Sequence, residues 1–419
     1  MAKPDSHRQN IEVHLDAADL GVQQRIGTMH RPLARTDLPA SFEYDPEWLR
    51  SERAFMLDPR LELWTGEQHP PAKTAAFGIF MDSSPDRWGR VLMERREAAV
   101  ASREQRPMQA LQELDFLLGV QDLTRAGALR FRSVEGGDFL DDSDPSVPPV
   151  TSLRELASIS ARLEEPDAEK LPEYERWLAL LIAPGTSLGG ARPKANFTDE
   201  GRLWIAKFPA RDDRYDVGAW EYVVHRLALD SGLVVPECRL ESLTDRYRTF
   251  CTVRFDRGSG SRRMSASAMT LLERRDGDQD GSYLDLAEFI SDQGATTRIA
   301  EDLEQLYRRV AFNVVVGNRD DHLRNHAFIR EPSGWRLSPA YDINPSPFKV
   351  EHTLTLDGAN AAPDLATVLS TAELYRLERS QAQGIVEQVK ATVSKWQAEA
   401  LRISCPREEI TRMRDVFQV

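Results

Sequence analysis

Asp320 and Asn325 stand five residues apart in GNRDDHLRNHAFI (317–329), a polar cluster between two apolar runs. In phosphoryl transfer one carboxylate orients the attacking hydroxyl and takes its proton. An oxygen a few residues on holds a metal that neutralises phosphate charge. An Asp-x4-Asn turn supplies both. Asp342 follows seventeen residues after Asn325, in LSPAYDINP (337–345), where a second carboxylate can reach the same metal. Asp and Asn favour turns for their own reasons, so this spacing alone is common. Three further features occur in the order such chemistry needs. Lys207 lies in the apolar strand-like run LWIAKF, where a lysine costs desolvation unless it meets an anion. The alternative is a lysine snorkelling from a strand edge. Glu221, on the next helix, either orients Lys207 or stands on a solvated face. Gly185, Gly189 and Gly190 precede the hairpin, and glycines let backbone N–H groups approach phosphate oxygens. Their spacing is neither the Walker pattern nor Gly-x-Gly-x-x-Gly.

His322 is open to two readings, a metal ligand or a supporting residue that hydrogen-bonds the loop backbone. Metal ligation wants more His or Cys at suitable spacing, and only His326 is near, so the supporting role is preferred. DGDQDGSYLDLAE (276–288) imitates the start of a calcium loop, but Ala287 occupies the position that needs a glutamate. It reads as a solvated acidic turn. No Gly-x-Ser-x-Gly elbow or His-Glu-x-x-His occurs, so hydrolase chemistry has little support.

The elements that must position these residues follow from periodicity. Residues 11–50 read as short strands and turns, and 132–150 as an acidic loop. KANF and RLWIAKF flank the turn TDEG as a hairpin. Apolar spacing predicts helices starting near 85 and running over 151–183, 217–231, 284–293, 300–317 and from 371 onward. Residues 233–255 are β-rich, and 318–343 reads as strand–loop–strand. A β-rich half joined to a helical half is the layout of an enzyme with a ligand cleft.

Composition bounds the class. The chain has 419 residues, 41% hydrophobic and 29% charged, with a formal net charge of −13. That is the balance of a globular chain, not one that coats nucleic acid by net charge. Three widely spaced cysteines build neither a disulfide framework nor a metal knuckle, which fits a reducing cytoplasm. The opening MAKPDSHRQNIEV has no apolar core of signal-peptide length, and no apolar run reaches the roughly 20 residues of a membrane span. Only eight of the 54 basic residues are lysines, so a lysine at a suggestive position carries information.

Nine segments in order resemble the HipA-type serine/threonine kinases, toxins of bacterial toxin–antitoxin modules. They are FEYDPEWL (42–49), PDRWGRVLMERR (85–96), DLTRAGALRF (122–131), SLGGARPKA (187–195), WIAKF (204–208), VRFDR (253–257), SAMTLL (267–272), GNRDDHLRNHAFI (317–329) and LSPAYDINP (337–345). The resemblance implies an α+β, protein-kinase-like bilobal fold, related to phosphatidylinositol kinases. It would have a β-rich N-terminal subdomain (1–110), an N-lobe with the Gly-rich loop and ATP lysine (111–258) and an all-helical C-lobe (259–419). It implies ATP and Mg²⁺ as cofactors and Asp320 as catalytic base. Asn325 and Asp342 would hold the metal. Lys207, with Gly189, Gly190 and Glu221, would serve ATP, and His322 would support the loop. Ser187 matches a serine whose autophosphorylation silences some members. Implied partners are a protein substrate such as an aminoacyl-tRNA synthetase and a HipB-like helix-turn-helix antitoxin, through which operator DNA would be bound. The expected location is the bacterial cytoplasm. Two departures stand out: the Gly-rich segment differs from the best-known form, and Ala340-Tyr341-Asp342 replaces the Asp-Phe-Gly of ordinary protein kinases. Two other readings use the same residues: a catalytically silent co-repressor that binds an antitoxin, and a small-molecule or lipid kinase.

Overall fold

The computed structural model describes residues 7–33, 38–133, 137–141, 147–185, 190, 192–258, 260–278 and 280–418. The chain forms two compact units. One comprises Met1–Arg211 with Asp256–Ala266, the other Asp212–Phe255 with Ser267–Val419. The three-part division at 110 and 258 stays a proposal.

In the first unit, β1 (Arg8–Ala17) and β2 (Val22–Pro32) pair antiparallel, with a register shift between Val13 and His14. These strands are longer than the short ones expected. Apolar Ile11, Val13, Leu15 and Ala17 alternate into the core, fully buried. On the other face Glu12 takes hydrogen bonds from Arg25 and Arg132. β3 (Ser41–Tyr44), β4 (Glu67–Gln68) and β5 (Leu129–Ser133) complete a five-stranded sheet of order β4-β3-β2-β1-β5. Helix α1 (Arg87–Arg103) starts at Asp86, whose carboxylate accepts from the N–H groups of Trp88 (3.2 Å) and Gly89 (3.4 Å). Helices α2 (Leu153–Leu163) and α3 (Tyr174–Gly185) lead to a hairpin of β6 (Lys194–Asp199) and β7 (Arg202–Lys207). Its turn puts Glu200 (φ 49°) and Gly201 (φ 72°) in the left-handed region, as a tight two-residue hairpin demands.

A buried carboxylate ties distant segments of this unit together. Asp122 receives Arg130 on both oxygens (3.1 and 2.5 Å) and Arg262 at 3.2 Å. Arg257 donates to the carbonyls of Leu123 (3.1 Å) and Arg125 (2.7 Å), and Asp256 accepts from Gly127 N–H at 2.8 Å. Residues 256–266 thereby belong to the first unit although the chain on both sides belongs to the second.

In the second unit, α4 (Val217–Asp230) is capped by Asp216, which accepts from Ala219 N–H at 3.0 Å. Strands β8 (Cys238–Glu241) and β9 (Thr249–Val253) pair antiparallel. Helices α5 (Tyr283–Gln293) and α6 (Ile299–Val316) fall where periodicity put them, and α6 is buried throughout from Leu306 to its end. This half is not all-helical: β10 (Ala327–Glu331) and β11 (Gly334–Leu337) form an antiparallel hairpin, the strand–loop–strand pattern read at 318–343. Helices α7 (Arg379–Val393), α8 (Trp396–Arg402) and α9 (Arg407–Met413) close the unit. Trp396 stacks on Phe417 at 4.5 Å with Trp220 beside both, and Trp220 Nε1 donates to buried Glu409 at 2.8 Å. Among the described residues no helix is long and apolar enough to cross a membrane.

Candidate active site

The loop between α6 and β10 is set by how α6 ends. Gly317 adopts φ 66°, and a side chain there would strike Val416 at 2.6 Å, so glycine is required. Asn318 N–H returns to the Asn313 carbonyl at 2.9 Å. The chain then presents two adjacent aspartates in opposite environments. Asp320 has a side chain 72% exposed, whereas Asp321 is buried.

Asp321 Oδ2 accepts from Tyr283 hydroxyl (2.7 Å), Asn313 Nδ2 (2.8 Å) and His326 Nε2 (2.7 Å). Arg309 Nη1 lies 3.2 Å from His326 Nδ1, and Nη2 donates to the Ser338 carbonyl at 2.7 Å. A guanidinium can only donate, so Nδ1 of His326 accepts and Nε2 carries the proton given to Asp321. Burial alone would raise the Asp321 pKa. His326 beside it, the Tyr283 hydroxyl and Arg309 outweigh burial and hold it below the ordinary carboxylate value. The same burial, with Asp321 adjacent, pushes the Tyr283 phenol well above its usual range.

On this braced floor, Asn325 is 8% exposed and its Nδ2 makes a long 3.4 Å hydrogen bond to the Asp320 carbonyl. No described hydrogen bond reaches its Oδ1. His322 contributes its carbonyl, which accepts from Asn325 N–H at 2.8 Å; its side chain caps nothing. The histidine that braces the loop is His326. Asp342 lies past β11 with φ 56°, an uncommon conformation for a side-chain-bearing residue and one that recurs at functional sites. Asn344 Nδ2 donates to Asp342 Oδ1 at 3.2 Å, while Asn344 Oδ1 is buried without a partner. Tyr341 stacks on Phe255, and its hydroxyl donates to the Arg324 carbonyl at 2.8 Å. The segment carrying Asp342 is thus pinned to the turn carrying Asn325.

Asp320, His322 and Asn325 share one loop of the second unit, and the segment carrying Asp342 is tied to that loop through Tyr341. Glu221 is in this unit too, 4% exposed on α4, so it does not stand on a solvated face. Lys207 and Gly190 are in the first unit. Ser187 and Gly189 lie outside the described residues. Lys207 is half-buried at the end of β7, directly opposite Lys194 across the hairpin. Sequence reasoning missed Lys194, the more buried lysine, whose ammonium meets Asp86 at 3.3 Å. Like charges opposed across a hairpin are unfavourable unless anions accompany them, and Asp86 supplies one. Gly190 has φ 97°, and a side chain there would come within 2.8 Å of Lys194 Nζ. The acidic turn at 276–288 spends Asp280 on Arg274 (2.6 Å) and Asp276 on Arg324 (3.3 Å). Among the described residues no group of three or more His, Cys, Asp or Glu is arranged to hold a metal.

The chain matches the family model described as the HipA-like C-terminal domain over residues 186–396. A curated relative described as a putative kinase, from Haemophilus influenzae, is 30% identical over 188 residues, covering 39% of this chain and 54% of that protein. The match thus spans about half the relative's length. Among solved structures, HipA of Shewanella oneidensis MR-1, determined with HipB and its operator DNA, has the same fold. Its TM-score is 0.65 at 16% identity, over 97% of this chain and 94% of that one. The Helicobacter pylori proinflammatory kinase CtkA is a remote match, with TM-score 0.36 and 14% identity over 54% of this chain and 96% of that one. The model's span across half the chain and a likeness in fold running almost end to end agree: the protein belongs to the HipA family.

Proposed function

We propose that the protein is an ATP- and Mg²⁺-dependent serine/threonine protein kinase. The observation that carries this reading is the contrast at 320–321: an exposed carboxylate on a loop whose next residue is locked into a buried network. That is what a base acting on an incoming hydroxyl requires.

The residues fit the implied metal in chemistry. A carboxylate and an amide oxygen are hard donors of the kind Mg²⁺ takes, usually with waters and phosphate oxygens completing the set. Asp342 and Asn325 supply them. Asn325 donates through Nδ2 and keeps Oδ1, and the partnerless buried oxygen of Asn344 lies two residues from Asp342. Bound there, the metal would neutralise charge on the phosphates. Asp320 would accept the proton of a serine or threonine hydroxyl, and Tyr341 would keep the two metal-holding segments in register. Lys207 and the Gly-rich segment would serve the nucleotide. Phosphorylation of Ser187, a protein substrate such as an aminoacyl-tRNA synthetase, and a HipB-like antitoxin carrying the contact to operator DNA belong to the same reading. The Shewanella HipA complex with HipB and DNA supports the antitoxin.

The test is transfer of label from [γ-³²P]ATP by purified protein in Mg²⁺. Asp320→Asn is expected to lower transfer at least about 100-fold with folding intact. Undiminished transfer by the folded variant removes Asp320 from the chemistry. Absence of label on wild type favours a silent co-repressor, and labelled metabolites instead of proteins in an extract favour a small-molecule kinase.

A further inference from the structure

We infer that Lys349 is a further active-site residue. Its ammonium fixes Asp320 and offers its remaining N–H to the phosphoryl group in transfer. The inference rests on the kinase reading above.

Lys349 Nζ lies 2.9 Å from Asp320 Oδ1 and also donates to Thr353 Oγ1. An ammonium has three N–H donors, so one is left over, on a side chain 39% exposed and open to an incoming group. No described hydrogen bond reaches Asp320 Oδ2, so that oxygen is open to an acceptor hydroxyl while Oδ1 is held. The lysine is aimed by backbone that is tied to the residues just before Asp320. Ser346 N–H donates to the Gly317 carbonyl (2.9 Å), and Arg319 Nη1 to the Lys349 carbonyl (2.7 Å). Thr353 N–H donates to the Arg319 carbonyl (3.0 Å). Phe348 and Val350 on either side are 73% and 79% exposed, so of the three only Lys349 turns toward the loop. An ion pair this open to water adds little stability, because solvent screens the attraction and holding the two side chains costs entropy. Stability therefore does not explain the spending of one of eight lysines here.

In the reaction, the acceptor oxygen bonds to the γ-phosphorus as the bond from that phosphorus to the bridging oxygen breaks. The hydroxyl proton passes to Asp320, and ADP leaves with the electron pair. Lys349 stays protonated throughout. It holds Asp320 against the drift that a solvated side chain would otherwise have, and it meets negative charge on the transferring group.

The experiment compares wild type, Asp320→Asn, Lys349→Met and Lys349→Arg as full-length proteins. ATP is the probe, with label read both on protein and as released phosphate. Lys349→Met is expected to lose about 30-fold in kcat with KM for ATP within about twofold, and to melt at the wild-type temperature. Lys349→Arg, which keeps the charge, should recover most of that loss. A Lys349→Met protein that transfers as fast as wild type or faster, or that loses through KM alone, overturns the inference while Asp320→Asn remains inactive. Should wild type fail to transfer, or Asp320→Asn transfer normally, the kinase reading fails and this inference fails with it.

Discussion

Asp122 in the first unit and Asp321 in the second are both buried, and the two are satisfied by different chemistry. Asp122 is met by arginines: Arg130 in two-pronged contact and Arg262 from a segment 140 residues later. Arg125, fully buried nearby, gives its Nη groups to the carbonyls of Leu117 and Val120 at 2.7 Å, and burial pulls its pKa down to about 9. Asp321 instead gathers a phenol, an amide and an imidazole, with Arg309 one bond further back. Charge against charge ties segments together across long stretches of chain. A ring of directional donors fixes one carboxylate at one angle, and with it the exposed neighbour. The first arrangement serves cohesion and the second serves aim.

Removing the charged tie gives the largest expected effect on folding. Asp122→Ala leaves Arg130 and Arg262 without their anion and should cost about 3–5 kcal/mol by urea unfolding, with little change in activity per folded molecule. A loss under about 1 kcal/mol would show that nearby carbonyls satisfy the arginines. Acidity separates the second unit's own groups next. His352 is 4% exposed beside Asp321 and Arg319, and burial lowers its pKa to about 4. The unfolded chain takes up that proton near pH 6.5 and the folded chain does not. Stability present above pH 6.5 should therefore fall as pH drops toward 4, by about 3 kcal/mol, and His352→Gln should flatten the slope. Asp321 has a lowered pKa, so its contribution is intact throughout that window and fades only below about pH 4. An unchanged slope in the variant assigns the acid sensitivity elsewhere. The smallest stability effect comes with the clearest functional one. Asp321→Ala should cost about 2 kcal/mol yet lower phosphoryl transfer about 100-fold, because Asp320 loses its backing. Equal loss of transfer in Asp122→Ala would erase the distinction between the two regions.

Local pattern made much of this legible. Helices over 217–230, 283–293 and 299–316 follow from apolar spacing, and the 194–207 hairpin from its Glu-Gly turn. Asp320, Asn325 and Asp342 stood out because they interrupt apolar runs. What escaped depends on partners far apart in the chain. Asp321 reads as a second turn aspartate until Tyr283, Arg309 and Asn313 are brought to it. The available signal was Asn313, a polar residue inside the apolar run VAFNVVV on α6. Lys349 was overlooked despite the rarity of lysine, because nothing local links it to a residue 29 positions earlier. Lys194 hides in the same way, since its anion is the cap of a helix more than 100 residues upstream. His322 drew notice by position within the motif, whereas the load falls on His326.

The return of residues 256–266 to the first unit has a practical corollary for anyone cloning fragments. The stretch matching the family model, 186–396, opens inside one folding unit, leaves it, revisits it for eleven residues and ends short of Phe417, whose ring completes an aromatic stack. Such a piece excised from the gene would carry Arg262 without Asp122 to receive it, and Arg257 without the Leu123 and Arg125 carbonyls it donates to. Evolutionary bookmarks and independently expressible modules are different divisions of this polypeptide.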